Sequence, residues 1–184
     1  TSAILWASQN KVVNGYGTVF KPNQAVTRQE LATILYKYAV LNGADPVTSY
    51  AVSYTDTISD WAMAGVAYCT NTKLMTGVGG GRFAPDDTVT RCQVVTFLWR
   101  MAGSYVVKVD NIGFDDVPES AYYYNAVAWA VRSNITNGMG ANTFAPNNTC
   151  TRAQLVTFLW RLAGSEVVED YSNPFADVKE SAYY

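Results

Sequence analysis

The chain has 184 residues and no histidine. That absence removes the usual general base, the serine–histidine–acid arrangement and the commonest zinc ligand. Charge is scarce as well, at 15% of residues with a net −2, so no basic face for nucleic acid is expected. The three cysteines, Cys69, Cys92 and Cys150, are an odd number without metal-type spacing. Aligned with the repeats below, two of them stand where the other copies have small apolar residues. Buried free thiols are expected, with no disulfide framework, no metal and no cofactor. No apolar run approaches the roughly 20 residues of a membrane span, so no membrane insertion is expected. No leader opens the chain, so if exported these residues are expected to be the mature form.

What is present is an apolar fraction of 49%, with Thr, Ser, Asn and Tyr supplying most of the polarity. Such a hydroxyl-rich, aromatic surface suits carbohydrate contact. The organising stretch is Thr151-Arg152-Ala153-Gln154, which recurs as Thr27-Arg28-Gln29-Glu30 and Thr90-Arg91-Cys92-Gln93, with starts 63 and then 61 residues apart. Each copy reads as a helix start. The Thr hydroxyl caps the first turn, and Glu or Gln three residues on reaches back to the cap amide. An apolar stripe follows at helical spacing, for example Leu155, Phe158, Leu159 and Leu162. Arginine at the first helical position opposes the helix dipole, at about 0.3–1 kcal/mol. Its recurrence as Arg28, Arg91 and Arg152 implies a use. Two uses are open: a bridge to an acidic residue of a neighbouring repeat, or an anion site of guanidinium plus free helix amides.

In order, residues 1–39 form repeat one, with a first helix over most of 1–15 and a stop at Asn14-Gly15. Residues 40–53 are a linker. Repeat two spans 54–103, with a first helix from about Asp60 to Leu74. A second linker covers 104–113. Repeat three spans 114–164, with a first helix from about Ser120 to Ser133, and 165–173 is a third linker. Residues 174–184 then open a further repeat, and repeat one lacks this opening. Written head after tail, Asp177 to Gly15 spans the same 22 steps as Asp116 to Gly138. The two ends are therefore pieces of one split repeat. Closure within one chain, completion of the next chain head to tail, and membership of a longer array all remain open.

The pattern Phe-x-Asp-Val … Trp-Ala … Gly-x-Gly-x-x-x-Phe-x-Pro-x-x-x-x-Thr-Arg-Ala-Gln … Phe-Leu-x-Arg resembles the S-layer homology repeat over nearly the whole chain. The resemblance implies a mainly helical fold. In it, three helix-loop-helix repeats form a pseudo-threefold spindle around a central three-helix bundle, with grooves between repeats. It also implies an extracellular bacterial cell-surface module that anchors proteins to secondary cell-wall polysaccharide, often pyruvylated. Carried over, the ligand candidates are Arg28, Arg91 and Arg152, with the loop glycines Gly15, Gly77 and Gly138. The opening acids Asp56, Asp116 and Asp177 and the aromatics Trp6 and Trp129 complete the set. For the acids, helix capping or pairing with Arg is the alternative; for the Trp pair, a place in the core; for the glycines, backbone conformation. Repeat two departs most, with Tyr68 in place of the Trp, one residue deleted and a glycine-rich loop carrying Arg82. Its groove is expected to be the altered one.

Catalysis is not expected. Asp115 and Asp116 are adjacent, so on an extended stretch they point to opposite sides and cannot flank a glycosidic bond. The leading expectation is a non-catalytic glycan-binding anchor. The alternative is a structural subunit that polymerises by completing its neighbour's split repeat.

Overall fold

The computed structural model describes residues 2–109, 111–168 and 172–184. Residues 1, 110 and 169–171, from the start of the first helix and the last two linkers, lie outside the described residues. Among the described residues six α-helices follow one another: α1 Ser2–Gln9, α2 Arg28–Leu41, α3 Met63–Asn71, α4 Arg91–Met101, α5 Tyr124–Arg132 and α6 Arg152–Leu162. A 3-10 turn, Asp60–Ala62, leads into α3. The fold is mainly helical, as expected.

The capping boxes form in all three second helices. Thr27, Thr90 and Thr151 are extended, and each hydroxyl accepts the amide three residues on. Glu30, Gln93 and Gln154 each return a bond to the cap amide. The first helices are shorter than their expected spans. Lys11, Lys73 and Asn134, each two residues past the last helical residue, take left-handed φ values of 57°, 58° and 55°. A left-handed residue there turns the chain out of the helix. The stop therefore precedes Asn14-Gly15.

Backbone bonds join the segments ahead of the second helices into a closed cycle. Val26 N donates to Cys150 O (3.0 Å), Cys150 N to Val89 O (2.8 Å) and Val89 N to Val26 O (2.9 Å). Among the described residues, strand-like pairing is confined to isolated bridges such as Ala25–Thr151 and Thr90–Thr149. At the far end, Tyr38, Met101 and Leu162, the eleventh residue of each second helix, line one pocket of about 520 Å³. The three second helices thus start from one cycle and line one pocket with their eleventh residues.

Each first helix packs on the second helix of the preceding repeat: α3 on α2, α5 on α4 and α1 on α6. The α2–α3 approach requires a residue without a side chain. A Cβ on Gly65 would sit 2.7 Å from Thr33 N. Cys69, Cys92 and Cys150 are buried free thiols. Burial pushes Cys69 and Cys150 up to about 12.

The split repeat closes within the chain. Asp177 accepts Phe20 N and Lys21 N, both at 2.7 Å. Asp116 binds Phe144 N and Ala145 N in the same way, and Asp56 binds Phe83 N and Ala84 N. Phe175 packs on Phe20 with centroids 5.4 Å apart, matching Tyr54 on Phe83 at 5.3 Å and Phe114 on Phe144 at 5.7 Å. Ala176 N donates to Thr18 O as Thr55 N does to Gly81 O and Asp115 N to Asn142 O. The tail occupies, on its own head, the seat that the other repeats fill from within.

These carboxylates restrain strained backbone. Lys21, Ala84 and Ala145 lie just ahead of Pro22, Pro85 and Pro146 and take φ of 58°, 56° and 58°. That conformation costs a non-glycine residue roughly 1–2 kcal/mol, which two carboxylate bonds offset. Burial tends to raise the pKa of Asp56, but the Phe83 and Ala84 amides outweigh it and hold the carboxyl below its ordinary value. A depressed folded-state pKa gives stability that is complete above the unfolded value and fades as pH falls through the folded one. In urea denaturation between pH 6 and pH 3, Asp56→Asn is therefore expected to lose less stability than the parent chain. Phe175→Ala is expected to cost about 3 kcal/mol in the same assay, close to the loss for Phe114→Ala. A negligible cost would mean that the tail does not close the ring.

Candidate functional site

The three arginines at the helix starts are 5%, 2% and 4% exposed for Arg28, Arg91 and Arg152. Each passes into the loop of the following repeat, with repeat one following repeat three. Arg28 Nε donates to Phe83 O (2.7 Å) and Nη2 to Thr76 O (2.8 Å). Arg152 Nε donates to Phe20 O (2.9 Å) and Nη2 to Asn14 O (2.8 Å). Arg91 Nε donates to Phe144 O (2.9 Å). The guanidinium planes lie over Phe83, Phe144 and Phe20 at 4.7–4.8 Å from the ring centroids. The bridge is thus to carbonyls and ring faces, not to the acidic side chains the sequence suggested. Burial lowers the pKa of all three guanidiniums, yet arginine starts so high that each stays charged.

The helix amides are likewise in use. Arg28 N and Gln29 N donate to Asp87 O and Pro85 O; Arg91 N and Cys92 N donate to Asn148 O and Pro146 O. Arg152 N and Ala153 N donate to Gln24 O and Pro22 O. An anion site made of free helix amides is therefore ruled out at these termini. The interlock of one repeat into the next consumes them.

The remaining candidates separate clearly. Asp56, Asp116 and Asp177 hold loop amides with both oxygens, as above. Trp6 and Trp129 belong to the buried core and present no free ring face. The loop glycines serve backbone packing: a Cβ would lie 2.9 Å from Val19 O at Gly15, and 2.6 Å from Arg82 O and Thr143 O at Gly77 and Gly138.

What the fold brings together is a groove beside two of the buried arginines, Arg152 and Arg91. The groove at Arg152, about 230 Å³, is walled by Gly15 and Tyr16 of the loop, Glu30 and Lys37 of α2, and Trp61. The groove at Arg91, about 260 Å³, has the matching parts: Gly138 and Met139, Gln154 and Arg161 of α6, and Tyr183. Trp61, Tyr122 and Tyr183 are 57%, 67% and 69% exposed. They stand five, six and six residues after Asp56, Asp116 and Asp177. Those aromatics were missed from sequence because the deletion in repeat two shifts Trp61 out of a simple alignment. Counting from the opening acid would have found them.

Among the described residues, no group of His, Cys, Asp or Glu could hold a metal ion, and no helix is long and apolar enough to cross a membrane.

The S-layer homology domain model matches residues 2–32, 53–94 and 113–156. A "Cell surface protein" of Thermoanaerobacter kivui is 29% identical over 142 residues, which is 74% of this chain and 19% of that protein. An "Amylopullulanase" of Thermoanaerobacterium thermosulfurigenes is 30% identical over 85% of this chain but 8% of its own length. A "Cellulosome-anchoring protein" of Acetivibrio thermocellus is 28% identical over 81% of this chain and 34% of its own length. The chain spans about a third or less of each of these relatives.

Replacing Arg152 by Met keeps much of the stem and leaves Phe20 O and Asn14 O without a donor. Each unpaired buried carbonyl costs about 1–3 kcal/mol, so a loss of at least about 2 kcal/mol is expected in urea denaturation. A change within error would show that the guanidinium does not hold the repeats together.

Proposed function

The chain belongs to the S-layer homology family, modules of the bacterial cell surface, and from that premise we propose that it anchors its protein non-covalently to an anionic, pyruvylated secondary cell-wall polysaccharide. The module itself is non-catalytic. The observation that carries this reading is the groove: a buried cation at its base, an exposed aromatic on its wall, and loop and helix polar groups between. A carboxylate on a sugar fits the cation, and the ring face of the sugar fits Trp61 or Tyr183. The aromatic on the groove wall is more than half exposed, which suits a chain polymer entering from solvent. Of the sequence candidates, Arg91 and Arg152 are the charged floor of the two grooves and Arg28 serves the interlock, while the glycines, the acids and the Trp pair shape the walls from behind.

The family's match to a small part of an amylopullulanase supports the same division of labour, with chemistry residing elsewhere in such proteins. The alternative, a subunit that completes the head of the next chain, would have to forgo the contacts that seat 172–184 on the chain's own head.

The test is co-sedimentation with purified wall glycan, before and after mild acid has removed its pyruvyl groups. Binding to the intact glycan is expected to fall at least tenfold after depyruvylation. Trp61→Ala with Tyr122→Ala and Tyr183→Ala together are expected to weaken binding without a matching change in thermal unfolding. Equal binding to both glycans would overturn the proposal.

A further inference from the structure

The three arginines are not equivalent. Arg28 and Arg152 each spend Nη2 on a carbonyl, but Arg91 Nη2 is buried without a hydrogen-bond partner. Its counterpart carbonyl would be that of Asn137, the residue aligned with Thr76 and Asn14. Here the backbone takes another course. Gly138 adopts φ +82°, whereas Gly15 and Gly77 lie outside the left-handed region, and Thr136 Oγ1 accepts Gly138 N at 3.2 Å. The Asn137 carbonyl does not reach the guanidinium.

That free N–H belongs to a residue 2% exposed, which lines the pocket shared with Arg161, Gln154 and Tyr183. The described residues lining this groove include two guanidiniums and no carboxylate. Arg161 uses one N–H on Ile135 O (3.1 Å), leaving further donors. Burial and Tyr184 raise the pKa of Tyr183 while Arg91 and Arg161 pull it back, so its ring stands within the field of both cations. The groove at Arg152 sets a carboxylate against its two cations, Arg152 and Lys37. Its wall carries Glu30, whose Oε1 accepts Tyr16 OH at 3.0 Å across the groove. Two carboxylates face each of the other guanidiniums, Glu30 and Asp177 at Arg152 and Asp87 and Asp56 at Arg28, whereas Asp116 is the one carboxylate that acts on Arg91 among the described residues.

We infer that the groove formed by Arg91, Arg161, Gln154 and Tyr183 is the single carboxylate-accepting site of the chain. A ligand carboxylate sits on Arg91 Nη2 with Arg161 beside it, and the sugar ring lies against Tyr183. The inference rests on the glycan reading above and narrows it from two grooves to one. Because Tyr183 lies in the tail, the site is complete only when 172–184 is seated on the chain's own head.

The probe is a synthetic monosaccharide bearing a pyruvyl ketal, titrated calorimetrically into the full chain, with its methyl ester as the uncharged control. One equivalent is expected to bind, and the ester at least tenfold more weakly. Gln154→Glu retains the capping box, as Glu30 demonstrates, but places a carboxylate in the groove; at least fivefold weaker binding is expected. Arg161→Gln should weaken binding similarly, while Lys37→Gln, at the matching position of the Arg152 groove, should leave it unchanged. Circular dichroism melts confirm that these variants fold. Two or three equivalents, or loss with Lys37→Gln but not with Gln154→Glu or Arg161→Gln, would overturn the single-site inference and leave the glycan reading standing. Failure of the acid probe to bind, together with failure of intact wall glycan to sediment the chain, would overturn both.

Discussion

A buried guanidinium makes demands that few side chains make. It cannot shed its proton at any accessible pH, and it brings five N–H donors in a fixed plane. Taking it out of water without partners is costly, so the protein around it must be built to receive it. In this chain the receiving groups are carbonyls and ring faces from the loop of the next repeat. That single requirement fixes where each loop lies relative to each helix start. It also explains why the helix amides are occupied: the same loops that offer carbonyls to the guanidinium offer them to the first two amides. Opening-segment carboxylates then hold the loop from its other side.

Closure follows from the same logic. Three repeats linked through head and tail leave no arginine without a loop, because Arg152 takes the loop of repeat one. The cut inside the split repeat falls between the segment that supplies the Asp177 clamp and the helix it precedes. Neither the clamp nor the interlock depends on continuity at that point. A repeat array closed on itself pairs each terminal surface with the other.

Much of this was legible in the sequence. The second helices, their capping boxes, the period, the buried thiols and the split repeat could all be read from local chemistry and register. The grooves could be placed but not furnished. Arginine at a helix start reads equally well as bridge or anion site, since both need a cation near amides; only the path of the neighbouring loop decides. The Asp residues looked like sugar acceptors because their partners are amides 27 to 157 residues away. Trp6 and Trp129 occur in a motif shared with binding modules, yet their burial depends on helix pairing across repeats. The left-handed residues Lys11, Lys73 and Asn134, which shorten the first helices, carry no strong composition signal for two lysines. The difference between Gly138 and its two counterparts is a backbone choice that composition does not record.

The central claim is that buried guanidinium–carbonyl bonds hold the repeats in register. It is tested most directly by nuclear magnetic resonance of the chain carrying nitrogen-labelled arginine. Three Nε–H signals are expected to be protected from solvent exchange far beyond a free side chain, at Arg28, Arg91 and Arg152, and to vanish one at a time in the corresponding lysine variants. If all arginine side chains exchange at the rate of exposed ones, the guanidiniums are solvated, and the interlock described here does not hold the fold together.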